Sequence, residues 1–222
     1  MSPEHGKTPS RPGKLKRPKQ KRFSMIRSFQ LADLLTLANG FSGAAAIFSV
    51  MKYLVSNDRF YLHAVFALLP AALLFDVFDG RVARMRHQQS ILGQEMDSLA
   101  DLISFGVAPA TLAFAVGMRG GWDAIGLVYF VSCGLSRLAR YNATASELSG
   151  DDGKVKYFEG TPIPSSLLLV AFLGFLVAGD RFGDALPGGV VALGPLELHP
   201  LVLLYVASGS AMISKTLRIP KP

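Results

Sequence analysis

The residues best suited to chemistry are four aspartates in two short segments. Asp76 and Asp79 stand in Phe75-Asp76-Val77-Phe78-Asp79-Gly80-Arg81-Val82-Ala83-Arg84, and Asp97 and Asp101 in Gly93-Gln94-Glu95-Met96-Asp97-Ser98-Leu99-Ala100-Asp101. On a helix, residues three or four apart share a face, so each pair presents two carboxylates in one direction. Carboxylates without His or Cys partners suit hard cations such as Mg²⁺ or Mn²⁺, which take oxygen ligands and bridge to phosphates. The four acids therefore read as a metal site that also holds a phosphorylated substrate. Acids merely solvated at an interface and paired with Arg81, Arg84 and Arg86 would not need matched spacing in two segments. Gly80 and Ala83 leave the helix face beside Asp76 bare, so that a flat group such as a nucleotide base can approach the backbone. Arg84 adds a guanidinium fork suited to phosphate.

The elements that must position these acids are apolar. Half of the 222 residues are hydrophobic and 18% are charged, the balance of a polytopic membrane protein more than of a soluble domain. Apolar segments fall near 31–51, 60–80, 98–118, 122–141, 163–179 and 197–214. Each approaches the roughly 20 residues that cross a hydrocarbon core as a helix. Lipid cannot satisfy an open strand edge, so the predicted fold is all-α, with six transmembrane helices. An acid at mid-membrane costs about 2.5–3.5 kcal/mol, and like charges packed together add repulsion. A bound cation relieves both.

Charge sets the expected orientation. Residues 1–27 hold nine Lys/Arg and one Glu and lack the apolar content to fold, so they read as a disordered basic tail ahead of a membrane domain at 28–222. With both termini in the cytoplasm, 19 basic residues lie inside, against Lys52, Arg59, Arg119 and Arg181 outside. That asymmetry follows the positive-inside rule and supports an even number of spans. It also explains the net charge of +7 without nucleic acid, for which no aromatic interleaving or binding fold is present. The apolar run after the tail shows no clear cleavage site, which disfavours a signal peptide. The single cysteine, Cys133, lies in an apolar run and reads as a packing residue; the four histidines have no ligand spacing. The topology puts both aspartate pairs at the cytoplasmic ends of antiparallel neighbours, where all four can converge.

Taken together, the residues spell D-x2-D-G-x2-A-R-x8-G-x3-D-x3-D, filled by Asp76, Asp79, Gly80, Ala83, Arg84, Gly93, Asp97 and Asp101. This resembles the signature of the CDP-alcohol phosphotransferases, and the resemblance extends over residues 31–220. It implies a six-helix, often homodimeric membrane enzyme with two divalent ions and a CDP-linked lipid donor. It implies that Asp76, Asp79 and Asp97 ligate metal, and that Asp101 ligates or serves as general base. Gly80, Ala83, Arg84 and Gly93 would then shape the cytidine-diphosphate site. The run from Asp97 to Pro109, Arg137-Leu138-Ala139-Arg140-Tyr141-Asn142, Gly160-Thr161-Pro162-Ile163-Pro164 and Met212-Ile213-Ser214-Lys215 are similar to the bacterial and archaeal branch that uses L-serine as acceptor with CDP-diacylglycerol.

A serine carboxylate needs a cationic pocket, for which Arg137, Arg140 and Asn142 are the candidates; arginines at a helix end also snorkel or anchor topology. Asn39 either reaches the nucleotide site or bonds across helices, and the segment 143–162 is either a lid or an ordinary connection. Gly40 with Gly43, and Ala207 with Ala211, offer small packing surfaces. Other acceptors within the family, such as inositol phosphate or glycerol phosphate, are alternatives. A divalent-cation transporter is a further one, although it would need acids distributed through the span rather than gathered at one end.

Overall fold

The computed structural model describes residues 31–86, 91–148, 157–214 and 218–220. The basic tail, and with it the expectation of disorder there, lies outside the described residues. The main elements are helical. They are α1 (Leu31–Ser56), α2 (Arg59–Arg86), α3 (Ile91–Asp101), a π-helical turn (Leu102–Val107), α4 (Ala108–Val116), α5 (Gly121–Leu148), a 3₁₀ turn (Ile163–Ser166), α6 (Leu167–Ala178) and α7 (Val202–Ile213). Two short antiparallel pairings join the connections, β1 (Tyr157–Glu159) with β4 (Arg218–Pro220) and β2 (Val191–Leu193) with β3 (Leu196–Leu198). The all-α expectation is thus refined to a mostly helical chain. These three-residue strands are too short for hydrophobic alternation to announce them.

Local chemistry explains the main joints. Between α1 and α2, Asn57 adopts a left-handed conformation (φ 53°), and Asp58 Oδ1 accepts the Phe60 amide at 2.9 Å, capping α2. The π turn between α3 and α4 is centred on the residues that precede Pro109. Proline cannot donate to the carbonyl four residues back, and its ring crowds that carbonyl. The ladder accommodates it by widening: the Ala108 amide bonds Ile103 O, five residues back. The π turn follows directly after Asp101.

Among the described residues, three helical stretches are long and apolar enough to cross a membrane: Ala32–Ser56, Arg59–Val82 and Leu92–Val116. Ile163–Ala178 and Val202–Ile213 are apolar but shorter. The 28-residue α5 is long enough, but Asp123, Arg137 and Arg140 dilute its hydropathy. It also runs seven residues beyond the expected end at 141, because its last two turns are polar and hydropathy cannot mark where they stop. Consequently the segment 143–162 is not one long loop; its first part continues α5, its last part holds β1, and 149–156 lie outside the described residues.

The connections alternate between two ends of the bundle. At one end Arg59 pairs with Asp180, Trp122 Nε1 donates to Leu193 O at 3.1 Å, and Gly120 abuts Glu197. At the other, Asn142 of α5 meets α3, Gly160 abuts Met212, and β1 pairs with β4. Among the described residues, the helical segments therefore run between these two ends. The outward surface is rich in large apolar side chains, including Phe41, Phe48, Val55, Phe60, Leu168 and Phe175, as expected of a membrane protein. Apart from Ser42, the buried positions of α1, Thr36, Asn39, Gly43, Ala46, Val50 and Tyr53, are spaced alternately three and four apart. That single stripe is polar at the end near the aspartates and apolar at the other.

Candidate active site

The second and third passes bring the acids together. Asp76 from α2 and Asp97 and Asp101 from α3 each offer a carboxylate oxygen, and these oxygens lie within 4.8 Å of one another. Asp79 is buried one turn beyond Asp76 and stands outside this group of three. Its Oδ2 accepts a hydrogen bond from Thr36 Oγ1 at 2.8 Å, and Asp101 Oδ1 accepts one from Asn39 Nδ2 at 3.0 Å. Full charges at such separations repel by about 3 kcal/mol per pair, even at an effective dielectric constant near 20.

Asp97 Oδ1 is buried with no hydrogen-bond partner. A buried anionic oxygen without a donor is costly, and a cation is what that oxygen and its neighbours lack. The donor set of three hard oxygens at close range fits a divalent ion such as Mg²⁺ or Mn²⁺. Beside it, a Cβ built on Gly80 would meet nothing within 4 Å, so the face expected to be bare is open. Gly93 is half-buried on α3. The backbone of α2 continues through Ala83 and Arg84, whose side chains lie outside the described residues.

The expected acceptor residues separate. Arg137 is partly buried, close enough to Asp101 for their charges to interact, and its Nε is buried without a hydrogen-bond partner. Arg140, one turn on, is exposed. Asn142 is engaged by α3: its Oδ1 accepts from Ser98 Oγ at 3.1 Å and from Gln94 Nε2 at 3.5 Å, while its Nδ2 donates to Glu95 Oε2 at 3.2 Å. Asn39 bonds across helices, to Asp101 on α3, which is one of the two roles expected for it beside reaching the nucleotide site. Gly40 and Gly43 pack inside the chain, against Ala100 and Ser104.

Two features escaped sequence reasoning. Thr36 carried no signal, since a single hydroxyl in an apolar helix is common. At the far end of the bundle His199 Nδ1 lies 2.6 Å from Asp123 Oδ2, and Asp123 also accepts the amides of Gly120 and His199 at 2.9 and 2.7 Å. That cluster ties the start of α5 to the segment entering α7. Its two acidic and imidazole partners are 76 positions apart, beyond any spacing rule.

Comparison with known proteins agrees with this geometry. The family described as CDP-alcohol phosphatidyltransferase matches residues 29–207. The chain is similar to the CDP-diacylglycerol–serine O-phosphatidyltransferase of Saccharomyces cerevisiae, 45% identical over 203 residues, which cover 90% of this chain and 74% of the yeast protein. Proteins of the same name from Methanocaldococcus jannaschii (34% over 151 residues, 68% of this chain and 63% of that protein) and Bacillus subtilis (31% over 145 residues, 64% and 73%) are also similar. The similarity is thus not confined to the bacterial and archaeal branch.

Proposed function

The chain belongs to the CDP-alcohol phosphatidyltransferase family, and from that premise we infer that it transfers a phosphatidyl group from CDP-diacylglycerol to L-serine, giving phosphatidylserine and CMP. The observation that carries the reaction class is the convergence of Asp76, Asp97 and Asp101 beside the open face at Gly80. The names of the relatives carry the acceptor.

Asp76, Asp97 and Asp101 would hold divalent metal, with Asp79 beside them; two ions, as the family resemblance implies, would share these ligands. The chemistry supplied by bound Mg²⁺ or Mn²⁺ is neutralisation of the pyrophosphate and of the departing CMP. The residues of the chain do the rest. The open face at Gly80, with Ala83, Arg84 and Gly93 along the same motif, receives the cytidine diphosphate. Asp101 takes the proton from the serine hydroxyl as its oxygen attacks the phosphorus attached to diacylglycerol. The P–O bond to CMP breaks, and CMP leaves with that electron pair. Arg137 is partly buried with an unpartnered Nε, so it is the better placed cation for the serine carboxylate. Arg140 and Asn142, farther along α5, complete the proposed acceptor site.

The enzyme is proposed to lie in the cell membrane with six spans and both termini in the cytoplasm, because the sequence order of basic residues between the apolar segments favours that orientation. There CMP and serine exchange with the cytoplasm while the acyl chains stay in the bilayer. A homodimer follows from the family resemblance, and light scattering on the detergent-solubilised protein tests it. A transporter is disfavoured, since all four acids gather at one end.

The direct test is CMP release by purified protein given CDP-diacylglycerol and Mn²⁺ or Mg²⁺, with and without serine. Serine-dependent release that EDTA abolishes is the expected result. Release with inositol phosphate or glycerol phosphate instead of serine would keep the family and overturn the acceptor. Replacing Arg137 with Leu should raise the KM for serine by about tenfold or more, the worth of a charge-assisted hydrogen bond, and leave the KM for CDP-diacylglycerol within about threefold. An unchanged serine KM would remove Arg137 from the acceptor site.

A further inference from the structure

Three features of α1 meet at the aspartates. First, Gly40 and Gly43 allow the helix to press on the third pass. A Cβ on Gly43 would lie 2.7 Å from Ser104 Cα and 2.9 Å from Ser104 N, so no larger residue fits without moving backbone. Second, Ser104 Oγ donates to Asn39 O at 3.0 Å, joining α1 to the π turn that follows Asp101. Third, one turn and two turns along the same stripe, Asn39 and Thr36 each donate a side-chain hydrogen bond to an aspartate, one on α3 and one on α2.

The chemistry of these donors is directional. An ionised carboxylate only accepts, so the amide of Asn39 must present Nδ2 to Asp101. Its Oδ1 is consequently turned away and is buried without a partner, a cost the site bears to keep that orientation. The Thr36 hydroxyl has one proton and two acceptors in reach, Asp79 Oδ2 at 2.8 Å and Ala32 O at 3.2 Å. The shorter, charge-assisted bond takes it. One oxygen of Asp101 and one of Asp79 are thereby committed to α1, and the other oxygen of each is left for the site. Without these donors, each side chain could turn about χ1 and χ2 away from its neighbours to relieve like-charge repulsion.

We propose that Thr36 and Asn39 are positioning residues that hold Asp79 and Asp101 in the metal-ready orientation from α1, so that the site is built by three passes rather than by the two that carry the acidic motif. The proposal rests on the reading of the aspartates as a metal site. Hydrogen-bond partners of metal ligands are worth about 10- to 100-fold in metal affinity.

The test is Mn²⁺ binding, followed by electron paramagnetic resonance on the purified full-length protein without substrate. Thr36→Val keeps the shape and removes the donor, Thr36→Ser keeps the donor, and Asn39→Leu removes the other donor. Thr36→Val and Asn39→Leu are expected to weaken Mn²⁺ binding about 10- to 100-fold, with the metal-free Tm little changed, and Thr36→Ser to stay within about threefold of the parent. If the parent binds Mn²⁺ and the Val and Leu variants bind it equally well, the positioning role is overturned. A Thr36→Ser variant as weak as Thr36→Val would overturn it too, since packing of the methyl would then be the cause. Should Asn39→Leu fail to fold, the Thr36 pair decides alone. No Mn²⁺ binding by the parent would instead refute the metal reading itself.

Discussion

Asp97→Asn should reduce serine-dependent CMP release by roughly 10³-fold or more, because it withdraws one charged oxygen from a site whose work is electrostatic. The same substitution should leave the fold intact. Asn has nearly the volume of Asp, and it removes one of three like charges whose oxygens lie within 4.8 Å. The metal-free Tm in detergent is therefore expected to hold or rise, since repulsion of about 3 kcal/mol per pair is relieved. The increase in Tm that Mn²⁺ produces in the parent, a mass-action effect of binding to the folded state, should vanish. Loss of activity together with loss of metal-free stability would point to a structural role instead. Activity within tenfold of the parent would remove Asp97 from the catalytic cluster altogether.

Gly43→Ala should be severe where Gly40→Ala is mild. The methyl added at Gly43 would press into the backbone of Ser104, which cannot swing aside, and the two helices must separate. Overpacking of this kind costs about 1–3 kcal/mol, which corresponds to a fall in Tm of roughly 3–10 °C. The separation also pulls Asn39 from Asp101 and breaks the Ser104 bond to Asn39, so activity should fall further than stability predicts. At Gly40 the added methyl would rest 3.4 Å from Ala100 Cβ, an ordinary contact, and little change is expected. Thermal unfolding followed by tryptophan fluorescence, together with CMP release, distinguishes the two. Equal effects at both positions would show that close approach at Ser104 is not what holds α1 in place.

Much of the candidate site was legible in the linear order because its acids are local. Asp76 with Asp79 and Asp97 with Asp101 are single-turn spacings, and helical geometry alone makes each a pair. The bareness at Gly80 was equally readable, since glycine has no side chain wherever it stands. Hydropathy located the apolar helices, but it misjudged ends where polar residues continue a helix, as in the final turns of α5. It had no means to find the pairing of β1 with β4, which are separated by the whole of α6 and α7.

The order of apolar segments, the gathering of acids at one end and the identity of the motif are properties of the sequence by itself. They depend on period, composition and short spacing, which survive without knowledge of contacts. Tertiary structure decided which acids converge: Asp76, Asp97 and Asp101 form the close group, while Asp79, equal to them in the motif, is drawn toward Thr36. It also divided Arg137 from Arg140, leaving one partly buried and the other exposed. The physical reason is common to these cases. A side chain's role here depends on the rotation of its helix against a neighbour tens of residues away, and that rotation is set by close contacts such as Gly43 on Ser104.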